Sequence, residues 1–243
     1  MNNTMEKTIG QMVAEDYRTA QVFKNHKIDF CCKGNRNIQE VAEKQHLNVA
    51  VLLGEIDEVR RQTNNETTDF KTWPLDLLAD YIEKKHHRYV EASIPVLNQY
   101  LEKLCRVHGE RHPELFEITA HFNACGGELA MHMKKEELVL FPAVRKMVIA
   151  KKTGISLEKP HFGTVKNPIQ MMMAEHETEG DRFSRIDELS NNYNPPEDAC
   201  NTYRVAFSLL QEFEEDLHRH IHLENNILFP KAEILEKQLA ELH

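Results

Sequence analysis

A motif of one histidine, one glutamate and a Leu-Phe-Pro triplet occurs twice in this chain and constrains its fold more than any other feature. The first copy is His132-Met-Lys-Lys-Glu136-Glu-Leu-Val-Leu-Phe-Pro142, and the second is His220-Ile-His-Leu-Glu224-Asn-Asn-Ile-Leu-Phe-Pro230. The offset is 88 residues for the histidine, the glutamate and the triplet alike. Because internal repetition reveals the unit from which a fold is built, we predict two similar substructures.

In each copy the histidine precedes the glutamate by four residues. Residues four apart on an α-helix lie on one face, with Cβ atoms about 5–6 Å apart. An imidazole and a carboxylate on one face supply half of a ligand set for a transition metal, and the lack of a thiolate favours iron over a softer metal. Glu137 is rotated by about 100° from Glu136 and is therefore predicted to leave this face.

Composition narrows the class of protein. The 243 residues carry a net charge of −9 and five cysteines, an odd number that fits a reducing compartment. The sequence has no clustered basic face of the kind that nucleic-acid binding requires. It begins with a polar stretch unlike a signal peptide and has no apolar run near the ~18 residues of a membrane helix. We expect a soluble, cytoplasmic protein with no nucleic-acid or membrane partner.

The chain divides into a small unit at 1–61, a polar linker at 62–73 and a larger unit at 74–243. In the first unit, apolar residues recur at helical spacing from Ile9 to Phe23, and two further short helices follow the turn that contains Cys31-Cys32. Three short helices make a small core, so we expect this unit to dock on the larger one.

The larger unit is predicted to contain four long helices, with the repeated motif in the second and the fourth. This order is typical of an all-α, four-helix bundle made of two similar hairpins. The helices are predicted at about 74–107, with a kink at Pro95, and at 113–150, 168–191 and 197–240.

A site in a bundle core draws ligands from all four helices. The third helix offers only His176, whereas the first offers His86 and His87. Four histidines and two glutamates then converge, with both carboxylates able to bridge two metals. Zinc also accepts these residue types, but a structural zinc site prefers four ligands, usually including cysteine.

Together, His87, His132-x-x-x-Glu136, His176 and His220-x-x-x-Glu224 resemble a hemerythrin-like di-iron bundle. The Asp29-Phe-Cys-Cys stretch resembles the small N-terminal domain of the repair-of-iron-centres family, bacterial di-iron proteins implicated in restoring iron–sulfur clusters after nitrosative and oxidative stress. The resemblance implies two non-haem irons with an oxo or hydroxo bridge. It also selects His87, whereas helical periodicity favours His86.

The resemblance implies two kinds of chemistry: iron delivery to damaged clusters, and capture or reduction of nitric oxide. It leaves open whether the protein is an enzyme. The alternatives are a protein that binds or senses oxygen or nitric oxide, and a helical interaction module with a structural metal. The expected partners are damaged iron–sulfur proteins and a small diatomic ligand, NO or O2. The protein is expected to be a monomer or a homodimer.

Several groups are predicted to surround the site. Glu128 and Asp216 each precede a candidate ligand histidine by four residues, a spacing that suits a hydrogen bond to its outer nitrogen. Glu128 and Glu175 are candidates for proton delivery to a bound ligand. Gly180 lies one turn after His176, where a missing side chain either leaves room for a small ligand or only eases packing.

Cys31 and Cys32 are candidate redox or transfer thiols, and Lys33 is expected to favour their thiolate forms. Adjacent cysteines do not easily form a disulfide of normal geometry. The alternative is that one is buried and the other exposed, and neither reacts.

Overall fold

The computed structural model describes residues 7–61, 68–158 and 160–241, and every regular element of more than one residue among them is helical. The predicted all-α class is therefore confirmed. None of these helices is both long and apolar enough to cross a membrane.

The described part of the N-terminal unit, residues 7–61, has four short helices, whereas the sequence predicts three in this unit. The sequence predicts one helix from Ile9 to about Asn25, but Asp16 takes an extended conformation with φ of −151°. Its carboxylate accepts the backbone N–H of Arg18 at 3.1 Å, so it competes locally with the helix. The helices are α1 (Ile9–Glu15), α2 (Thr19–Asn25), α3 (Ile38–Gln45) and α4 (Val49–Arg61).

Four long helices form the bundle, and three of them contain a π-helical turn. Bundle helix 1 comprises α5 (Leu75–Tyr81), a π turn (Ile82–His87) and α6 (Arg88–His108); bundle helix 2 comprises α7 (Glu114–Lys135), a π turn (Glu136–Leu140) and α8 (Phe141–Thr153); bundle helix 3 is α9 (Lys166–Leu189); and bundle helix 4 comprises α10 (Asn201–Leu223), a π turn (Glu224–Leu228) and α11 (Phe229–Ala240).

The π turns of bundle helices 2 and 4 follow from the repeated motif. The carbonyl of Glu136 accepts the N–H of Phe141, and that of Glu224 accepts the N–H of Phe229, five residues on instead of four. Each turn is followed by the proline of Leu-Phe-Pro, which has no N–H and crowds the carbonyl four residues earlier. Bundle helix 1 has its wide turn at Ile82–His87, whereas α6 continues through Pro95.

Two apolar clusters lie on either side of the level at which these π turns occur. One joins the core of the N-terminal unit, such as Phe23 and Ile38, to the bundle around Phe122 and Phe213. The other fills the opposite end of the bundle. The N-terminal unit therefore docks on the bundle, and its Lys24 also pairs with the buried Glu214 at 2.9 Å.

Residues 62–67 of the predicted linker lie outside the described residues. From Thr68 onward the chain contacts the bundle, because Phe70 is buried and its ring packs on Trp73 and Tyr81 at 4.8 and 5.1 Å. The Nζ of Lys231 also donates to the carbonyl of Trp73 at 2.7 Å.

Candidate metal centre

Six buried side chains of the sequence-predicted set lie together in the polar layer between the two apolar clusters. They form two four-residue groups in which the ligand atoms lie within 4.8 Å of one another, and both groups contain Glu136 and Glu224. The first group adds His87 and His220, and the second adds His132 and His176. Each group thus holds two imidazoles, and the two carboxylates lie between the groups.

The inner nitrogens of the histidines face the shared carboxylates. The Nε2 atoms of His87 and His132 are each 3.4 Å from Oε2 of Glu136. On the other side, Nε2 of His176 is 3.3 Å from Oε2 of Glu224, and Nε2 of His220 is 3.1 Å from Oε1. This arrangement is symmetric about the two glutamates, as expected for a duplicated motif.

The nitrogen and oxygen atoms of this set are poorly satisfied by hydrogen bonds among themselves, as expected of ligands for a pair of cations. Both carboxylate oxygens of Glu136, Oε2 of Glu224 and Nε2 of His87 are buried and have no hydrogen-bond partner in the described part of the chain. The Nε2 atoms of His132 and His176 approach to 2.9 Å, so two nitrogens compete for one proton. Buried carboxylates without partners are costly, and a set of four imidazoles with two shared carboxylates suits iron.

The buried histidines and carboxylates of this layer shift one another's pKa values, each favouring the charged form of the other. Although burial alone lowers the pKa of His132, the carboxylates of Glu136 and Glu175 raise it to about 10. Burial and Glu224 push the pKa of Glu136 upward, but His132 and His87 bring it below its ordinary value. A negative field that favours a proton on His132 also favours a metal cation beside it.

Three of the four histidines have an acceptor at the outer nitrogen, Nδ1. Glu175 Oε2 lies 2.7 Å from Nδ1 of His132, and Glu137 Oε1 lies 3.0 Å from Nδ1 of His87. Asn225 Oδ1 lies 2.9 Å from Nδ1 of His176. An acceptor there holds the Nδ1–H tautomer and leaves Nε2 free for a metal.

Glu175 was predicted only as a proton carrier, and the other two acceptors were not expected from the sequence. Glu137 was predicted to leave the face of Glu136, yet it reaches a histidine on bundle helix 1. Asn225 was not selected at all. Both directly follow the glutamate of their motif copy, and comparing the copies one position further along the repeat would have pointed to them.

The structure brings His87 rather than His86 into the metal group, although both are buried. The π turn at Ile82–His87 places more residues in one turn than an α-helix does, so a count at 3.6 residues per turn selects the wrong neighbour. His86 instead holds Asp216 at 3.0 Å through Nδ1, and its ring stacks on that of His220 with centroids 5.7 Å apart.

The predicted partners of the outer nitrogens are therefore wrong in two places. Glu128 hydrogen-bonds Arg182 at 2.9 Å, and its side chain is 56% exposed, so it does not hold His132. Asp216 contacts His86 and not His220. Spacing of four residues puts both carboxylates on the expected face, but a neighbouring helix supplies the nearer partner in each case.

A cleft of about 200 Å³ between bundle helices 2 and 3 leads to His132 and His176. Glu128, Glu175 and Glu179 line it, with Met131 and Lys135 at its wall. Hydrogen bonds from His132 and from Lys135 lower the pKa of Glu175 to about 2, although burial opposes them. Burial raises the pKa of Glu179, which sequence reasoning did not select.

Cys31 and Cys32 lie against bundle helix 3 beside the metal group. Their Sγ atoms are 3.5 Å apart, and the Sγ of Cys32 donates to the carbonyl of His176 at 3.2 Å. Asp29 Oδ1 accepts the backbone N–H groups of Cys31 and Cys32 at 3.0 and 2.9 Å, which fixes the turn. The thiol pair thus contacts the backbone of a candidate ligand.

Two expectations about this segment need correction. Lys33 points to Glu177 and Asp181 at 3.2 and 3.1 Å. The expected thiolate is wrong for Cys31, because the Cys32 thiol and then burial raise the pKa of Cys31. Gly180 leaves room for Cys32 rather than for a ligand, since a Cβ on Gly180 would lie 2.9 Å from its Sγ.

Comparison with known proteins matches both parts of the chain. The model of the hemerythrin HHE cation binding domain matches residues 78–232, a range that contains all six residues of the metal group. The model of a domain of unknown function, DUF542 or ScdA_N, matches residues 5–60, which contain Cys31 and Cys32.

Curated relatives match the chain over nearly its full length. It is 32% identical over 226 residues to the iron–sulfur cluster repair protein YtfE of Yersinia pestis (strain Pestoides F), covering 93% of this chain and 96% of that protein. The identity and coverage are the same for the iron–sulfur cluster repair protein YtfE of Yersinia pseudotuberculosis serotype O:1b (strain IP 31758).

Proposed function

Because the chain belongs to the repair-of-iron-centres family, in which an ScdA-type unit precedes a hemerythrin HHE domain, we propose that it supports the repair of iron–sulfur clusters damaged by nitrosative or oxidative stress. The hemerythrin HHE domain is a non-haem di-iron domain. The observation that carries the proposal is the pair of metal groups that share Glu136 and Glu224.

In this proposal His87 and His220, together with Glu136 and Glu224, would hold one iron. His132 and His176, together with the same two carboxylates, would hold the other. When bound, the irons would supply a binding place for a diatomic ligand such as NO or O2 and a source of exchangeable iron. The proposed clients are damaged iron–sulfur proteins in the cytoplasm. The proposed division of the chain is the one predicted above, with units at 1–61 and 74–243 and a linker at 62–73.

The cleft residues support access at one side of the pair. The cleft reaches His132 and His176, so a small ligand would approach the site beside these two histidines. Glu128 at the mouth and Glu175 at the base remain the proposed proton carriers. Glu175 also positions His132, because one of its oxygens holds Nδ1.

The thiols of Cys31 and Cys32 have a proposed role in transfer. The hydrogen bond from Cys32 to the carbonyl of His176 supports this role, because the cysteine pair then lies next to a residue that would hold iron. Replacing both by serine keeps a hydroxyl donor for the carbonyl of His176 but removes thiol chemistry. The double variant should keep its iron and lose repair activity.

The test measures iron and repair in the same preparation. Protein from iron-replete cells, purified without oxygen, should contain close to two irons per chain, and it should restore activity to an iron–sulfur enzyme inactivated by nitric oxide. The matched control for the thiol variant is Cys200→Ser, at an exposed cysteine. One zinc per chain with no iron absorption would contradict the di-iron proposal. Full repair by the double serine variant would contradict the proposed role of the thiols.

Reaction of the reduced protein with each gas separates the two chemistries implied for the site. Production of nitrous oxide would identify a nitric oxide reductase, whereas iron transfer to a chelator-treated cluster protein would identify iron delivery. Stable, reversible oxygen binding without either activity would instead identify a carrier.

A further inference from the structure

Asn225 connects the metal group to the docked thiol segment. Its Oδ1 lies 2.9 Å from Nδ1 of His176, and its Nδ2 donates to the carbonyl of Cys31 at 3.1 Å. The side chain is buried, and both of its polar atoms are used. One amide group therefore contacts a candidate metal ligand and the cysteine pair at the same time.

The contact closes into a ring of interactions. From His176 it runs through Asn225 to the carbonyl of Cys31, along the chain to Cys32, and from the Sγ of Cys32 back to the carbonyl of His176 at 3.2 Å. The segment of the N-terminal unit thus contacts the backbone of His176 directly and its imidazole through Asn225 of bundle helix 4.

Asn226, the next residue, anchors that segment without contacting the metal group. Its Nδ2 lies 3.0 Å from Nδ1 of His222, 3.3 Å from the carbonyl of Phe30 and, at the longer distance of 3.5 Å, from that of Cys31. A Cβ added to Gly10 would lie 2.0 Å from Oδ1 of Asn226, and one added to Gly34 would lie 3.1 Å from it. The side chain therefore inserts into a space that two glycines leave open, and it offers a control for Asn225.

The polarity of the amide matches only one tautomer of His176. A neutral histidine that binds a metal through Nε2 carries its proton on Nδ1 and donates to an oxygen. Asn225 must then present Oδ1 to His176 and Nδ2 to the carbonyl of Cys31, as it does. In the other tautomer Nδ1 is an acceptor, so Asn225 would have to turn its oxygen towards the Cys31 carbonyl, which cannot donate.

We infer that Asn225 is a positioning residue through which docking of the Cys31–Cys32 segment and metal binding at the His132–His176 position stabilise each other. The inference rests on the proposed di-iron function. Coupling of this kind is reciprocal, so a metal at His176 must tighten the segment by the factor by which the segment tightens the metal.

Thiol reactivity of the full chain tests the coupling. Alkylation of Cys32 by N-ethylmaleimide is followed by peptide mass spectrometry in the metal-free protein and after anaerobic reconstitution with ferrous iron. Iron should slow the reaction of the wild-type protein by about 5-fold or more, the lower end of ordinary coupling between sites. Circular dichroism checks that both forms have the same helical content.

The variants separate coupling from simple docking. In Asn225→Ala the ratio of the Cys32 alkylation rate in the metal-free protein to that in the iron-loaded protein should fall to about one. Asn225→Asp keeps an oxygen for His176 but loses the donor to Cys31. This variant should therefore retain iron, but iron should no longer slow the alkylation of Cys32. Asn226→Ala should speed alkylation in both forms and keep the wild-type ratio.

An unchanged ratio in both Asn225 variants would overturn the inference while leaving the di-iron function intact. Equal loss of the ratio in Asn226→Ala would also overturn it, because docking alone would then explain the effect. Iron measured in the same wild-type samples tests the function separately, and a chain that takes up no iron defeats both proposals.

Discussion

The two hairpins of the bundle supply the same metal donors but surround them differently. In the first motif copy, Glu136 is followed by Glu137, which holds His87, and by Leu138, which is 73% exposed. In the second copy, Glu224 is followed by Asn225 and Asn226, which contact the N-terminal unit.

The difference extends to the histidines themselves. His132 has Glu175 at its outer nitrogen, and Glu175 directly precedes His176. The equivalent position before His87 is occupied by His86, whose ring stacks on that of His220. Among the described residues, Nδ1 of His220 has no hydrogen-bond partner. The residues that the copies share thus form the two candidate metal groups, and the residues that differ give these groups distinct charge and distinct neighbours.

Removing a shared carboxylate should have the largest effect. Glu136→Ala or Glu224→Ala deletes an oxygen donor common to both metal groups and leaves four imidazoles around a smaller negative charge. We expect iron content to fall from about two per chain to below one, measured by elemental analysis after gel filtration. The control Glu233→Ala changes an exposed glutamate on α11. Near-normal iron in both site variants would contradict the bridging assignment.

Changing an outer partner should affect one half of the pair. Glu137→Ala removes the acceptor at Nδ1 of His87, and loss of such a partner typically lowers metal affinity by about 10–100-fold. Competition with a chromophoric chelator should show one weakened site and one near-normal site. Leu138→Ala, the exposed next residue, is the matched control. Two equally weakened sites would mean that the halves are not distinct.

The residue that most separates the copies is Asn226, whose counterpart is Leu138. Asn226→Leu removes the hydrogen bond to the carbonyl of Phe30 and leaves that buried acceptor less well satisfied, which costs about 1–3 kcal/mol. Backbone amides of α1 and α3 should exchange hydrogen faster, while those of α9 change little. The reciprocal Leu138→Asn should stay within about 0.5 kcal/mol in unfolding experiments. Equal exchange in α1 and α9 would contradict a local effect.

Much of this arrangement could be predicted because the repeat carries it. His132, Glu136, His220 and Glu224 share a spacing that fixes their helical face, and four long apolar patterns predict the bundle. His87 could not be chosen from periodicity, because the π turn at Ile82–His87 breaks the count of 3.6 residues per turn. The resemblance selected it instead.

The contacts that the sequence could not predict are those between helices. Glu175 reaches His132 across 43 positions, and Asn225 reaches Cys31 across 194. Neither pair has a local pattern, and an asparagine pair inside a helix suggests only weak helix propensity. The same reasoning placed Glu128 on the correct face but could not show that Arg182 would bind it.

The smallest expected effect concerns the space beside Cys32. A Cβ at Gly180 would lie 2.9 Å from the Sγ of Cys32, so Gly180→Ala must move the thiol away from the carbonyl of His176. We expect faster alkylation of Cys32 with the iron content unchanged. The helix gains about 1 kcal/mol from replacing glycine by alanine, and displacing the thiol offsets part of it, so the net change in unfolding free energy should be small. Gly54→Ala in α4, with nothing within 4 Å of its Cβ, should show the full gain and unchanged alkylation. If Gly180→Ala matched Gly54→Ala in both measurements, Cys32 would not be held in this space, and the asymmetry between the hairpins would depend on Asn225 and Asn226 alone.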